Sequence, residues 1–566
     1  MPSSSEVSDS SLPYFNLGTY TRKISTSSPQ AQTWFTRGLI WTYAFNHEEA
    51  ARCFEHALAS DPSCVMAYWG LAYTLGPNYN KPWEVFDQAE LERVLAKTHA
   101  AVIKGKEVAA SKEEPEAIEE IEKALIDALT NRYPTPKPGT AEDRAVWNRA
   151  YADAMSAVYT RFSTDLDVAA LYADSLMNLT PWDLWDIKTG QPNPDARTLE
   201  IKSILEEALT LPGGLKHPGL LHLYIHLMEM SPFPENALSI ADNLRGLVPD
   251  AGHLNHMPTH LDILCGEYKA AMASNSQAIE SDKRFVARRG AVNFYTLYRA
   301  HNYHFRIYAA MFAGQSRVAL ETARELEEQI PEDLLRVQSP PMADWLEGFL
   351  GVKVHVLVRF GRWSDLLALP APTDKELYCA TTAMIHYGRG IAYAATGRVA
   401  EAEQERANFQ EALKKVPASR TLFNNTCVDI LSVASAMLAG EIEYRKANFS
   451  TAFEHLRHAV HLDDTLPYDE PWGWMQPTRH ALGALLLEQG KVEEAAAVYA
   501  ADLGYDDTLP RPLQHAGNIW ALTGYLECLE RLGKDVDAAV MKKLVSDRAL
   551  EADVQVGVSC FCRLSP

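Results

Sequence analysis

A spacing of small and aromatic residues near the start of the chain restricts its fold more than any other feature. Trp34, Gly38 and Trp41 are followed by Ala50, Phe54, Ala57 and Pro62. Read as two helices, Gly38 and Ala50 let them approach closely, while the aromatics fill the gaps to the next pair. Asp61-Pro62 ends the second helix and turns the chain. Weaker copies follow. Tyr268, Ala271, Asn275 and Ala278 mark one; Gly390, Tyr393 and Ala402 another; Ala452, Leu456 and Ala459 a third. Leu482, Gly483, Leu486, Ala495 and Tyr499 form a good late copy. Strand patterns are few. About ten helix pairs cover most of the chain, which predicts an all-α solenoid.

This spacing resembles the tetratricopeptide repeat, with one departure at Arg37, where the repeat has Leu. The resemblance implies first (A) helices on a concave inner face and second (B) helices outside. The expected organisation is a disordered arm over 1–28, repeats over 29–80, an irregular helical insertion over 81–144, central repeats over 145–335, C-terminal repeats over 336–550 and a tail over 551–566.

Composition narrows the function. The formal charge is −21, with no long basic run, which argues against nucleic acid and anionic membranes as partners. No 20-residue apolar run predicts a membrane span. The N-terminus lacks a charged-then-apolar signal segment. The eight cysteines are scattered, without CxxC, and read as a reducing compartment. Cys560 and Cys562 read as part of a loose tail. The expected location is the cytoplasm; the sequence leaves the oligomeric state open.

The histidines are the chemical signal. Eight of eighteen fall between Leu215 and Phe305. Helical spacing places His222, His226 and Glu229 on one face, His253, His256 and His260 on a second, and His301 and His304 on a third. The predicted A helices are Pro218 to Met230, about Gly252 to Leu264 and about Asn293 to Phe312. Pro258 suits a first helical turn, so His253 and His256 can precede the helix. The intervening B helices, Glu235 to Leu247 and Glu267 to Ser281, carry no His. Neighbouring A helices stack roughly 10 Å apart, so three imidazole stripes would meet in one concave patch. A single such His is usually a packing residue. Seven with Glu229, buried without metal, would each need hydrogen-bond partners, or would repel if charged.

The blocks HPGLLHLYIHLMEMSPFPENAL, AGHLNHMPTH and YRAHNYHF resemble those of a family of tetratricopeptide-repeat proteins of bacteria and filamentous fungi. Similar blocks extend along the chain, among them FNHEEAARCFEHAL, MNLTPWDLWD and WMQPTRHALGALLLEQG. The resemblance implies the fold and a shared site, not a reaction.

Eight candidate ligands exceed one metal's needs, so some orient the others or two ions bind. Imidazole suits copper, iron or zinc, and the lack of all-oxygen ligation disfavours calcium and magnesium. Two groups of three His suit a dicopper site; fewer His with Glu229 suit di-iron, or zinc with a bound hydroxide. The zinc-protease HExxH motif is absent. The leading expectation is an oxygen-dependent oxidoreductase for a small organic molecule, using copper or iron. A zinc hydrolase or lyase is the alternative among enzymes. A scaffold holding a peptide or protein in its groove is the alternative outside them. Glu229 (also a candidate ligand), Tyr224 and Tyr298 are the catalytic candidates. Arg288 and Arg289 either hold a substrate carboxylate or are solvated. Asn302 is expected to face elsewhere, His47 and His386 to be structural, and His217 to cap or ligate.

Overall fold

The computed structural model describes residues 13–111 and 118–563. It is an all-α solenoid of paired helices, tetratricopeptide-like in its packing. Pro29–Tyr43 pairs with His47–Ser60. Ser28 caps the first helix, with Pro29 in its first turn, and Asn46 caps the second. Phe54 lies against Gly38 of its own pair and Gly70 of the next helix, Val65–Leu75. Near the other end Tyr499 fills the same role between Gly483 and Gly524. The recurring glycine–aromatic spacing therefore marks points where a ring occupies the space of two missing side chains.

Helix pairs continue through Ala141–Arg161 with Leu166–Met177, and Thr198–Thr210 with Pro218–Glu229. The C-terminal pairs are Cys379–Ala395 with Val399–Leu413, Cys427–Arg445 with Phe449–Asp464, Thr478–Glu488 with Val492–Leu503, and Ile519–Arg531 with Asp535–Ala549. The insertion over 81–144 contains two regular helices, Gln88–Ser111 and Glu120–Arg132, packed against Val65–Leu75. Two β-hairpins of two-residue strands break the helical pattern, one pairing Thr421–Leu422 with Asn425–Thr426.

Three expectations need correction. The predicted helix Glu235 to Leu247 is three short turns, Pro234–Ala237, Leu238–Ala241 and Asp242–Leu244. Pro232 and Pro234 remove donors at its start, and Gly246 takes a positive φ at its end. The arm over 1–28 is not loose where it is described. From residue 13 it lies along the core, burying Leu17 and Ile24, with Asn16 donating its N–H to Asp250 at 2.6 Å; residues 1–12 lie outside the described residues. The tail also packs. Ser559 and Cys562 are buried, and Cys560 is joined to Cys562 in a disulfide, so those two cysteines are paired.

Both ends thus fold back on the middle of the chain. Trp520 donates its indole N–H to the carbonyl of Met311 at 2.7 Å, and Tyr268 its hydroxyl to that of Ala516 at 2.9 Å. Asp553 accepts the N–H groups of Ser316 and Arg317, capping Ser316–Gln329 from 236 and 237 residues away. The candidate histidines between His222 and His304 end up buried rather than on an open concave face. No helix among the described residues is long and apolar enough to cross a membrane.

Candidate metal centre

Pro218–Glu229 is buried along its whole length. His217 is its N-cap, accepting from the N–H of Leu220 while its other nitrogen meets Asp167 at 3.2 Å. It is a cap and part of a buried network with Tyr20, not a member of the cluster below. One helical turn on, His222 donates from Nδ1 to the carbonyl of Tyr43 at 2.6 Å. His226 donates from Nδ1 to Glu229 at 2.8 Å. A proton fixed on Nδ1 leaves the lone pair on Nε2. Both Nε2 atoms are buried with no hydrogen-bond partner among the described residues, as are both ring nitrogens of His253.

His253 arrives from the short helix Gly252–His256, and the chain restarts at Pro258 in Pro258–Leu264. Donor atoms of His222, His226 and His253 lie within 4.8 Å of one another, and so do those of His256, His260 and His301. Two ligands of one metal, each at about 2.1 Å, are at most roughly 4.2 Å apart, so small side-chain adjustments would close either group. The two groups face each other. Ring centres of His226 and His260 are 5.8 Å apart, and those of His253 and His256 5.9 Å.

A further group, Glu229, His260 and Glu470, joins the two. Glu229 accepts from both His226 and His260, while Glu470 lies 2.9 Å from His260 Nδ1. His256 meets Asn275 through Nδ1 and His260 through Nε2, each at 2.8 Å.

The electrostatics follow from burial. Burial, reinforced by neighbouring imidazoles, holds His222, His253, His256 and His301 well below the ordinary histidine range, so they are neutral. His226 is also lowered by burial, opposed by Glu229. His260 behaves differently: burial opposes its charge, but Glu229 and Glu470 prevail and push it up to about 10. Its imidazolium donates to carboxylate on one side and to His256 on the other. Glu229 is lowered despite burial because His260 and His226 both stabilise its charge. Burial pushes Glu470 up to about 7.

Two of the sequence candidates stand apart. His304 projects away from His301, edge-on to Phe349, because Tyr295–Phe312 is buried on nearly every side and offers different neighbours at successive positions. Tyr224 bonds to Glu206 at 3.0 Å, two residues beyond His222 and on another face. Tyr298 does reach the site, its ring centre 4.4 Å from that of His253. Asn302 faces elsewhere, donating to Asp282 at 2.6 Å. Arg289 pairs with buried Glu49 of His47–Ser60, and Arg288 lies over Tyr14 and Phe15, so Arg289 holds the first helix pair and Arg288 the arm. His47 meets Asn78 and His386 meets Glu405, both outside the cluster.

Sequence reasoning missed Glu470 and Asn275. Asn275 was visible only as a repeat position. Glu470 sits in a loop rich in Pro and Trp with no helical period, far along the chain from the candidate histidines. Its one sequence cue is an acidic pair, Asp469-Glu470, in otherwise apolar surroundings.

A cavity of about 410 Å³ opens onto both groups, with His253, His260, His301, Tyr298 and Glu470 among its lining residues.

No protein-family model matches the chain, and no curated protein matches it. Among solved structures, the complex of Naa15/Naa10 bound to HypK-THB aligns at 14% identity and a TM-score of 0.20, covering 92% of this chain and 70% of that one. Yeast Tom70 aligns at 14% identity and a TM-score of 0.28, covering 91% and 92%.

Proposed function

We propose that the protein is a metal-dependent oxidoreductase that acts on a small organic molecule, with two metal ions held side by side in its core. The observation that carries this reading is the pair of facing three-histidine groups, several of whose ring nitrogens are buried without partners. A first ion would be held by His222, His226 and His253, a second by His256, His260 and His301. The carbonyl of Tyr43, Glu229 and Asn275 hold the Nδ1 protons and so aim the Nε2 lone pairs of His222, His226 and His256 inward. Six imidazoles suit copper or iron, and such a pair supplies oxygen-dependent redox chemistry when bound. The cavity, lined by His253 of the first group and by His260 and His301 of the second, gives a substrate access to both. Tyr298 is placed to orient that substrate.

The mixed group of Glu229, His260 and Glu470 favours a second reading, a zinc hydrolase in which Glu470 serves as general base. A peptide scaffold draws less support, since these histidines are enclosed.

Elemental analysis of the purified protein separates the readings. The expected result is two equivalents of copper or iron, with at least one lost in His256→Ala while the circular dichroism spectrum is unchanged. Zinc at stoichiometric level moves the assignment to hydrolysis. No metal bound after reconstitution with any of the three overturns it.

A further inference from the structure

The cavity beside the histidines has a chemistry of its own. Besides Tyr298, its walls carry four aromatic side chains, Trp182, Phe294, Trp345 and Phe423. None of its described lining residues is Lys or Arg. Its ionisable groups besides histidine and Tyr298 are the carboxyls of Glu84, Asp469 and Glu470. The last two have partners: Asp469 accepts from Asn424 and Asn425, and Glu470 accepts from Tyr468 and forms an ion pair with His260.

The cations stand on the other side of one wall. Phe294 and Trp345 also line a separate outer cleft of about 380 Å³ that contains Arg52, Lys81, Arg93 and Lys97. Lys81 is bonded to Glu90 at 2.6 Å and lies 4.8 Å from the centre of the Phe294 ring. An anion entering the inner cavity would lose its hydration beside carboxyls, with no Lys or Arg to replace it and the one cationic wall group, His260, already set between Glu229 and Glu470.

Besides nitrogens of His253 and His301 and Oε2 of Glu470, two polar atoms inside remain unmet. Tyr298 Oη and Asn80 Oδ1 both belong to cavity-lining residues, and both atoms are buried without a hydrogen-bond partner. The Asn80 side chain neighbours the Tyr298 hydroxyl. Buried polar atoms are seldom left so. A hydroxyl, which donates and accepts, would satisfy both atoms at once.

We propose that this cavity binds an uncharged, planar aromatic molecule bearing a hydroxyl group, and rejects carboxylates and phosphates. Aromatic rings would stack or meet edge-on with the four walls, and the hydroxyl would lie between Asn80 and Tyr298. This names the substrate class for the metal centre and rests on that reading for the reaction; the binding itself does not depend on it.

The test is calorimetric titration of the purified protein with 2-naphthol, 2-naphthoate and 1-naphthylmethylammonium, with metal content measured on the same sample. The expected result is at least a tenfold preference for 2-naphthol over either ion, and a several-fold loss of that affinity in Trp345→Ala and in Asn80→Ala. Trp345 is only partly buried, and Asn80→Ala covers the case in which the tryptophan variant fails to fold. Equal or tighter binding of either ion, no binding of 2-naphthol at millimolar concentration, or unchanged affinity in both variants overturns the proposal. Naphthol bound without metal would defeat the metal reading alone; metal bound with naphthoate preferred would defeat this one alone.

Discussion

A buried imidazole carries a cost that its neighbours must offset, and the site shows three ways of doing so. His222 and His226 give one proton to an acceptor and leave one nitrogen bare. His260 takes a second proton and places its charge between two carboxylates. His304 and His355 do neither; burial lowers each to about 3, helped by His355 beside His304 and by Arg359 beside His355. The last two make a pH prediction. In the unfolded chain both take up a proton near the ordinary value of about 6.5. In the fold they resist until about pH 3. Between these values the unfolded state binds more protons, so stability falls as pH falls, by about 1.4 kcal/mol per pH unit for each residue. The thermal midpoint is therefore expected to drop less steeply between pH 6 and pH 4.5 in His355→Phe than in the parent. Equal slopes in the two proteins would mean that His355 is already charged in the fold. At this scale the sequence revealed which residue types matter, since six of its seven predicted histidines share the two groups. It could not reveal Glu470 or Asn275, because hydrogen-bond partners across the core leave no local period.

Helices meet here through glycines opposed by rings. A Cβ built on Gly70 would lie 2.3 Å from Cε1 of Phe54, and one on Gly38 2.8 Å from the same ring. Phe54 is fully buried, so the ring has little room to retreat. Gly70→Ala is therefore expected to destabilise by about 1–3 kcal/mol through overpacking, against the gain an alanine normally brings to a helix. Gly70→Ala combined with Phe54→Leu should recover part of the loss. Thermal denaturation of both variants checks this, and an unchanged midpoint in the single variant would mean the helices can slide apart. Helix pairs of this kind were legible because the glycine–aromatic spacing is local. The stretch from Glu235 to Leu247 was not, because its apolar residues suit a helix while Pro232, Pro234 and Gly246 interrupt one. The residues 252–264 fell between these cases: Pro258 was read as a helix start, and it begins the second of two short helices that keep all three histidines buried.

Across the whole molecule, long-range fastenings decide how far the solenoid closes. Asp553 is an example: its carboxylate accepts from Ser316 and Arg317, doing from the tail what an N-cap side chain usually does from the preceding residue. Asp553→Ala is expected to cost about 1 kcal/mol and to raise amide exchange in the first turn of Ser316–Gln329 and in the tail together. Faster exchange in the tail alone would show that the helix does not depend on this cap. The same closure turns an expected open groove into an enclosed site. The sequence by itself determined that the chain is a stack of helix pairs, because small and aromatic residues at helical spacing state which surfaces can touch. It also determined that histidines would cluster, because i+3 and i+4 spacing puts them on shared faces. Only the tertiary structure decided that they fall into two facing groups, that His304 and Tyr224 turn elsewhere, and that a carboxylate from residue 470 comes to lie beside His260. Those outcomes depend on which faces of distant helices and loops meet, and no spacing along the chain encodes that.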